Sequence, residues 1–488
     1  MELHIFHTND VHSELDRFVV LAQELSDARQ RVAAAGGSAL CFDLGDHIDC
    51  SDPVTNGTSG MVNAELLREL GYDGWVLGNN ETLTLDRAHW KAVVDTAGIP
   101  LYCSNLPVPE TAARQRAEGD ILERGGVRLG VFGVTVPFDK PFRALGLPVV
   151  DPFATVRETV GLLRRRGADV VILLSHLGLQ ADKEIAAAGM SVDVIIGAHS
   201  HHFLESAVLA GDTWICQAGK HARAFGRTVV RVEGGRVTGV DSTLVHTPAD
   251  GRQHDGARAV LLRNSREARR ELATPVTVLD RPLHHSLHGE SDLANLLCDA
   301  VRDELDADIA VVNGGVIHAA LREGTVRRGD LLAVCATPMR AVTLRMTGRA
   351  VRQLLDDGLD PSVIESEGFG YGFRAHYIGR LHVSGAFIET APDVAADGRT
   401  RETVRGIYAG AEPLVAEHSY SVAVCEYIAL SSRFPAVSPM DIVYHAPTLR
   451  AMLTRAIADP DRVRRAAQAR YSRAADSHQG TGERTESG

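Results

Sequence analysis

LHIFHTNDVH, Leu3 to His12, sets the pattern of the first half of the chain: a short apolar run, Leu3 to Phe6, is followed at once by Asp10 and His12, two side chains able to ligate a metal. Four more segments repeat it. Ala39 to Leu44 leads to Asp46 in DLGD, Trp75 to Leu77 leads to Asn79 in VLGNNE, Val170 to Leu174 leads to His176 in LLSH, and Val192 to Ile196 leads to His199 and His201 in IIGAHSH. A sixth run, Leu129 to Val134, completes a series that alternates with helical patterns up to about residue 245. One such helix has its apolar stripe at Phe18, Leu21, Ala22, Leu25 and Val32, close to a 3.6-residue period. Alternation of this kind predicts an α/β fold.

Strands that all end in metal-capable residues converge on one edge of a sheet, where α/β folds place their sites. Asp10/His12 and His199/His201 are each spaced by two, so extended backbone would turn both members of a pair to one side. Imidazole nitrogens, carboxylates and one amide oxygen form a mixed donor set that suits Mn, Zn, Fe or Co better than Ca or Mg. Asp46, with two carboxylate oxygens, could bridge two divalent ions about 3.5–4 Å apart, a pair that ionises a shared water and clamps a phosphoryl group for in-line displacement. The expected reaction is hydrolysis of a phosphate ester or phosphoanhydride. Any one of these histidines alone would be read as an ordinary core or surface residue. Five segments in this order carry the assignment.

With 488 residues the chain exceeds a single ordinary core. The expected division is a metal domain over 1–248, a connector helix within 249–274, a second domain over 275–457 and a partly disordered tail over 458–488. Beyond about residue 473 the sequence SRAADSHQGTGERTESG has almost no apolar content. The second domain shows a helix carrying Leu293, Leu296, Leu297, Ala300, Val301 and Leu305, then a strand Ile309 to Val312 and a sharp Asn313-Gly314-Gly315 turn. A formal charge of −12 argues against a nucleic-acid partner, and no apolar stretch is long enough to span a bilayer. The motif that opens almost at the N-terminus leaves no room for a signal peptide, so a cytoplasmic location is expected, and the seven dispersed cysteines, which lack CxxC spacing, are expected to be reduced, packed thiols.

The segments HTNDVHS, GDHIDCSDP, GYDGWVLGNNE, SHLG and GAHSHH resemble, in order, the motifs of the calcineurin-like metallophosphoesterases, in the branch of bacterial 5′-nucleotidases and UDP-sugar hydrolases. NGGVI and the segments C-terminal to it resemble that branch's C-terminal nucleotide-binding domain. The resemblance implies an αββα sandwich, two packed sheets flanked by helices, followed by a smaller α/β domain that can rotate to present the substrate to the metals. It implies that Asp10, His12, Asp46 and His201 hold one ion and that Asp46, Asn79, His176 and His199 hold the other. The implied partner is a small phosphorylated molecule, a nucleotide first. Oligomeric state is not encoded in any motif.

The sequence departs from that pattern in two places. The related motif GNHEFD reads here Gly78-Asn79-Asn80-Glu81-Thr82-Leu83, so Asn80 stands where the histidine acts and Leu83 where its orienting aspartate stands. An amide donates a hydrogen bond but transfers no proton near neutrality. A leaving group stable as an anion, such as the phosphate of a nucleoside di- or triphosphate, is therefore favoured, with Asp46 and Asn80 as the catalytic candidates and His47 or His221 as substitute acids. In the second domain, Asn313 is kept while His318 stands at an arginine position, and Phe369, Tyr371, Phe373 and Phe434 are the aromatic candidates for base stacking. The alternatives are a thiosulfonate-type sulfur-ester hydrolase of the same superfamily and a non-catalytic metal- or nucleotide-binding protein.

Overall fold

The structure is a computed structural model that describes residues 1–368, 376–394 and 400–473. It divides into two compact units, Met1–Thr274 and Pro275–Gly488. The tail expected beyond residue 473 lies outside the described residues.

The first unit contains, in chain order, strands β1 (Glu2–Thr8), β2 (Ala39–Asp43), β3 (Gly74–Trp75), β4 (Asp120–Arg124), β5 (Val127–Thr135), β6 (Val170–His176), β7 (Val194–Gly197), β8 (Val208–Ala210), β9 (Thr213–Gln217), β10 (Ala224–Glu233) and β11 (Arg236–His246). They form one sheet in the order β11-β10-β1-β2-β3 and another in the order β4-β5-β6-β7-β9-β8. The inner strands β1, β2 and β3 run parallel, as do β5, β6, β7 and β9.

The period of two in a strand explains the layering. Val170, Ile172 and Leu174 of β6 share a core with Leu3, Ile5, Leu40 and Phe42 of the other sheet, so the two sheets pack face to face. Val171 and Leu173, pointing the other way, join Val156, Val160, Leu163 and Ile185 from the helices Pro152–Arg165 and Leu179–Ala187. On the outer face of the first sheet, Phe6 and Cys41 meet the helix Leu15–Ala34 through Phe18, Leu21 and Leu25. The result is helix, sheet, sheet, helix. Each of those fully buried side chains contributes about 1.5–3 kcal/mol, which is why these strands are apolar on both faces.

The connector segment is a helix, Asp255–Leu272, with Ala257, Val260, Leu261, Asn264 and Ala268 buried. It is packed into the first unit: Gly57 sits so close to Ala268 that an added Cβ would lie 2.7 Å from its Cα. Asn264 and Arg263 both donate to Glu65.

The second unit holds a five-stranded sheet in the order Leu381–Ser384, Ile309–Asn313, Ser419–Cys425, Arg340–Thr347, Val443–Thr448. The helix Asp292–Glu304 buries Leu293, Leu296, Leu297, Ala300 and Val301 against it. Structure continues past residue 457: helix Pro460–Ala466 caps on Asp459, and Tyr471–Arg473 pairs with Ile388, Glu389 and Thr390. All seven cysteines are buried and free. Among the described residues no helix is long and apolar enough to cross a membrane.

Candidate metal centre

The ends of β1, β2, β6 and β7 and the turn after β3 bring seven side chains to one edge of the first unit. Ligand atoms of Asp10, His12 and His201 lie within 4.8 Å of one another, and so do those of Asp46, His176 and His199. Asp46 stands between the two groups. Its Oδ1 is 3.4 Å from His176 Nε2 and its Oδ2 is 3.8 Å from His12 Nε2. A carboxylate aimed both ways is the geometry that a shared ligand requires.

Spacing by two places Asp10 and His12 in one group, but it separates His199 from His201. The reason is backbone. All four residues lie beyond the strand ends in left-handed backbone, with φ of 51° at Asp10, 49° at His12, 68° at His199 and 60° at His201, so the rule for extended strands governs neither pair. Of the eleven non-glycine residues with positive φ among the described residues, eight (Asp10, His12, Ser13, Asp46, His199, His201, His221 and Ala222) belong to this edge. Each such residue costs of order 1–3 kcal/mol, and the concentration marks a place where geometry is held against local preference.

Several bonds do the holding. His12 N donates to Asp46 O at 2.8 Å, Asp10 N to Gly45 O at 3.0 Å and Ser13 N to His47 O at 3.0 Å, so the first two loops are zipped together. Glu81 accepts from the backbone amides of Asp46, Ile48 and Gly78 at 2.9, 2.8 and 2.8 Å, joining the Asp46 loop to the Asn79 turn. Asn9 donates to Asp10 Oδ2 and to Gly219 O, while His199 N donates to Asp10 Oδ2 at 3.0 Å. Neither Glu81 nor Asn9 is singled out by periodicity or spacing, because each works through bonds to loop backbone, and Asn9 also to the Asp10 carboxylate, that only the fold brings into reach.

Burial and bonding fit the donor roles. His176 is fully buried, its Nδ1–H donates to Leu44 O at 2.7 Å, and Nε2 is left without a hydrogen-bond partner. Asn79 Oδ1 is likewise buried and bare, while its Nδ2 donates to Asn80 Oδ1. Buried polar atoms without partners are costly and rare, so two of them facing Asp46's surroundings point to a cation as the missing partner. Burial would raise the Asp46 carboxyl, yet the charge of His176, whose Nε2 stands 3.4 Å from Oδ1, holds it well below the usual range. Burial would lower His176, but Asp46 drives it up to about 10, so the position at Nε2 that a cation would take is otherwise held by a proton, and metal binding there would release it. Burial and the nearby His176 push His199 down to about 4, and burial also lowers His12 against the pull of Asp46, Asp10 and Asp49, leaving neutral imidazoles with lone pairs.

The two substitute acids separate. His47 is fully buried, packed edge-on to the Phe18 ring at 4.8 Å, with Nδ1 3.1 Å from Asn63 Nδ2, and burial pushes it down to about 3. His221 stands at the centre itself, its ring 5.6 Å from that of His12. Asn80 is buried with its backbone N donating to Asp46 Oδ1 at 2.7 Å and its carboxamide beside His12.

In the second unit, Asn313 is 0% exposed, donates to Ile378 O and accepts from Cys425 Sγ, so its side chain is committed to the turn. Phe434 is 1% exposed within the core and presents no open ring face. His318 is half-buried, with Nε2 3.5 Å from Thr337 Oγ1. Phe369, Tyr371 and Phe373 lie outside the described residues.

Comparison with known proteins places this geometry. The calcineurin-like phosphoesterase family model matches residues 3–203, and the 5′-nucleotidase C-terminal domain model matches residues 272–438. An uncharacterized metallophosphoesterase of Bacillus subtilis, YunD, is 30% identical over 445 residues, spanning 89% of this chain and 94% of that protein. A mouse 5′-nucleotidase is 24% identical over 391 residues, 68% of this chain and 67% of that one. The crystal structure of a putative 5′-nucleotidase from Staphylococcus aureus in complex with alpha-ketoglutarate shares the fold, with a TM-score of 0.67 at 15% identity over 97% of this chain and all of that one.

Proposed function

Because the chain belongs to the calcineurin-like metallophosphoesterases that carry a 5′-nucleotidase C-terminal domain, we propose that it is a two-metal phosphohydrolase acting on a nucleotide. The observation that carries the reading is Asp46, whose two oxygens face the Asp10/His12/His201 group and the His176/His199 group. Bound there, two divalent ions of the Mn, Zn, Fe or Co type would lower the pKa of a shared water and neutralise the phosphoryl oxygens. Asp10, His12, Asp46 and His201 would hold one, and Asp46, Asn79, His176 and His199 the other.

The protein's part is preorganisation. Glu81, Asn9 and Leu44 O fix the loops and rings before substrate arrives, so little reorganisation is left for the reaction. Asn80 has no proton to give near neutrality, which favours a leaving group stable as an anion. The substrate class this supports is a nucleoside di- or triphosphate or a nucleotide sugar, ahead of a monophosphate.

The test is product analysis by ion chromatography on a panel of nucleoside mono-, di- and triphosphates and a nucleotide sugar, in Mn²⁺ and after chelation, with a thiosulfonate ester as the remaining arm: inorganic phosphate or pyrophosphate is read from the nucleotides, nucleoside monophosphate from the nucleotide sugar and a sulfur oxyanion from the thiosulfonate. Metal-dependent turnover, fastest on the anhydrides, is expected. Turnover of the thiosulfonate alone would overturn the nucleotide reading, and turnover that survives chelation would overturn the metal reading.

A further inference from the structure

Two consecutive non-glycine residues at the edge of the metal centre, His221 and Ala222, adopt left-handed backbone with φ of 60° and 51°. The turn is pinned on both sides. His221 N donates to Asp10 O at 2.8 Å, and Arg17 Nη1, from the helix Leu15–Ala34, donates to His221 O at 3.0 Å. So fixed, the imidazole lies 5.6 Å from the His12 ring at 82° and 6.5 Å from the His201 ring at 45°. It is nevertheless outside both groups of converging ligand atoms. It is half-buried rather than sealed, and among the described residues no hydrogen bond engages its ring nitrogens. Arg17 and Arg223, on either side of the turn, also line a groove of about 810 Å³ with His246, Thr247 and Gln253.

A strained turn that costs stability, is fastened at both its amide and its carbonyl, and delivers a ring with free nitrogens to the edge of a metal site is a built feature. The other candidates are less open to a substrate: His47 is fully buried against Phe18, and Asn80 is engaged with His12 and Asn79. We infer that His221 is a substrate-contacting residue, whose imidazole N–H donates to a non-bridging oxygen of the phosphoryl group, and that Arg17 is its positioning residue. The inference rests on the phosphohydrolase reading above and assigns the fixed donor at that site. Placed donors of this kind act because they are aimed before the charge develops.

The test uses the full chain loaded with Mn²⁺. His221→Gly removes the ring and suits left-handed backbone, so the fold is retained. Its metal content is expected to equal that of the wild type, its kcat/KM to fall about a hundredfold, and its affinity for inorganic phosphate, read by calorimetry, to weaken about tenfold. Added imidazole is expected to restore part of the rate. Arg17→Ala should weaken phosphate binding in the same direction and add little in the double variant with His221→Gly, because both act through one group. Unchanged phosphate affinity in His221→Gly, or loss of a metal ion from it, would overturn the inference. Since the phosphate arm needs no turnover, it decides this question even if no nucleotide is hydrolysed.

Discussion

The carboxamide of Asn80 lies 2.9 Å from Nδ1 of His12. Asn80 is thus turned toward a ring of the candidate metal site, and its own Oδ1 accepts from Asn79. That arrangement ties Asn79 and His12 to one carboxamide, which supplies no proton near neutrality.

Restoring an imidazole should therefore help most where a poor leaving group needs protonation. Asn80→His is expected to raise kcat/KM on a nucleoside monophosphate at least about tenfold more than on its triphosphate, within the 10²–10⁴-fold range of general acid catalysis. Steady-state kinetics on the two substrates read the ratio. An equal gain on both would sink the leaving-group argument.

Gly78 is the closest backbone approach in the centre. A Cβ there would lie 2.1 Å from Asp46 Oδ1 and 2.4 Å from Asp46 N. Gly78→Ala is expected to displace the carboxylate and abolish tight binding of at least one ion while leaving the fold intact. Metal titration followed by calorimetry, with circular dichroism as the control, checks it. Two ions bound with wild-type affinity would contradict the shared-carboxylate geometry.

Glu81 makes a graded version of the same point. In Glu81→Gln an amide N–H replaces one of two acceptor oxygens that face three backbone amides, leaving a buried donor unpaired at about 1–3 kcal/mol. Metal affinity should fall about 10–100-fold, as for other groups that orient ligands. A shift in the urea midpoint without any change in metal affinity would show Glu81 to be structural only.

Acid sensitivity should come partly from the second unit. His382 is fully buried with both ring nitrogens unpartnered, and burial, with Arg380 nearby, holds its imidazole down at about 3. A depressed folded-state pKa gives stability that is complete above the unfolded value of about 6.5 and lost as pH falls towards 3. At pH 5 this group alone removes about 2 kcal/mol relative to pH 7. Urea unfolding at the two pH values should show the loss shrink by about that amount in His382→Phe. An unchanged pH slope would exclude His382 as a source.

Much of the centre is legible because strand ends and chemistry coincide in the sequence. Asp10, Asp46, His176 and His199 each follow an apolar run that is indeed a strand, and the alternation of Val170 to Leu174 is the two-faced pattern of a buried parallel strand. The features that escape sequence reading depend on backbone conformation and on distant partners. The parting of His199 from His201 escapes a spacing rule written for extended strands, because both spaced-by-two pairs stand in left-handed backbone that no spacing encodes. Glu81 and Asn9 act by bonding to amides and carbonyls contributed by loops tens to hundreds of residues away. The helix Asp255–Leu272 reads as a connector because it is rich in arginine, but its small residues, Ala257 and Ala268, allow it to lie close against the first unit. Phe434 has the right chemistry for stacking and is consumed by the core instead.

The shared carboxylate of Asp46 is the claim on which the functional account stands. Crystals soaked in Mn²⁺ and measured at the manganese absorption edge test it directly. Two anomalous peaks about 3.5–4 Å apart, one beside Asp10, His12 and His201 and the other beside His176 and His199, with Asp46 between them, are predicted. A single peak, or two peaks that do not share Asp46, would contradict it.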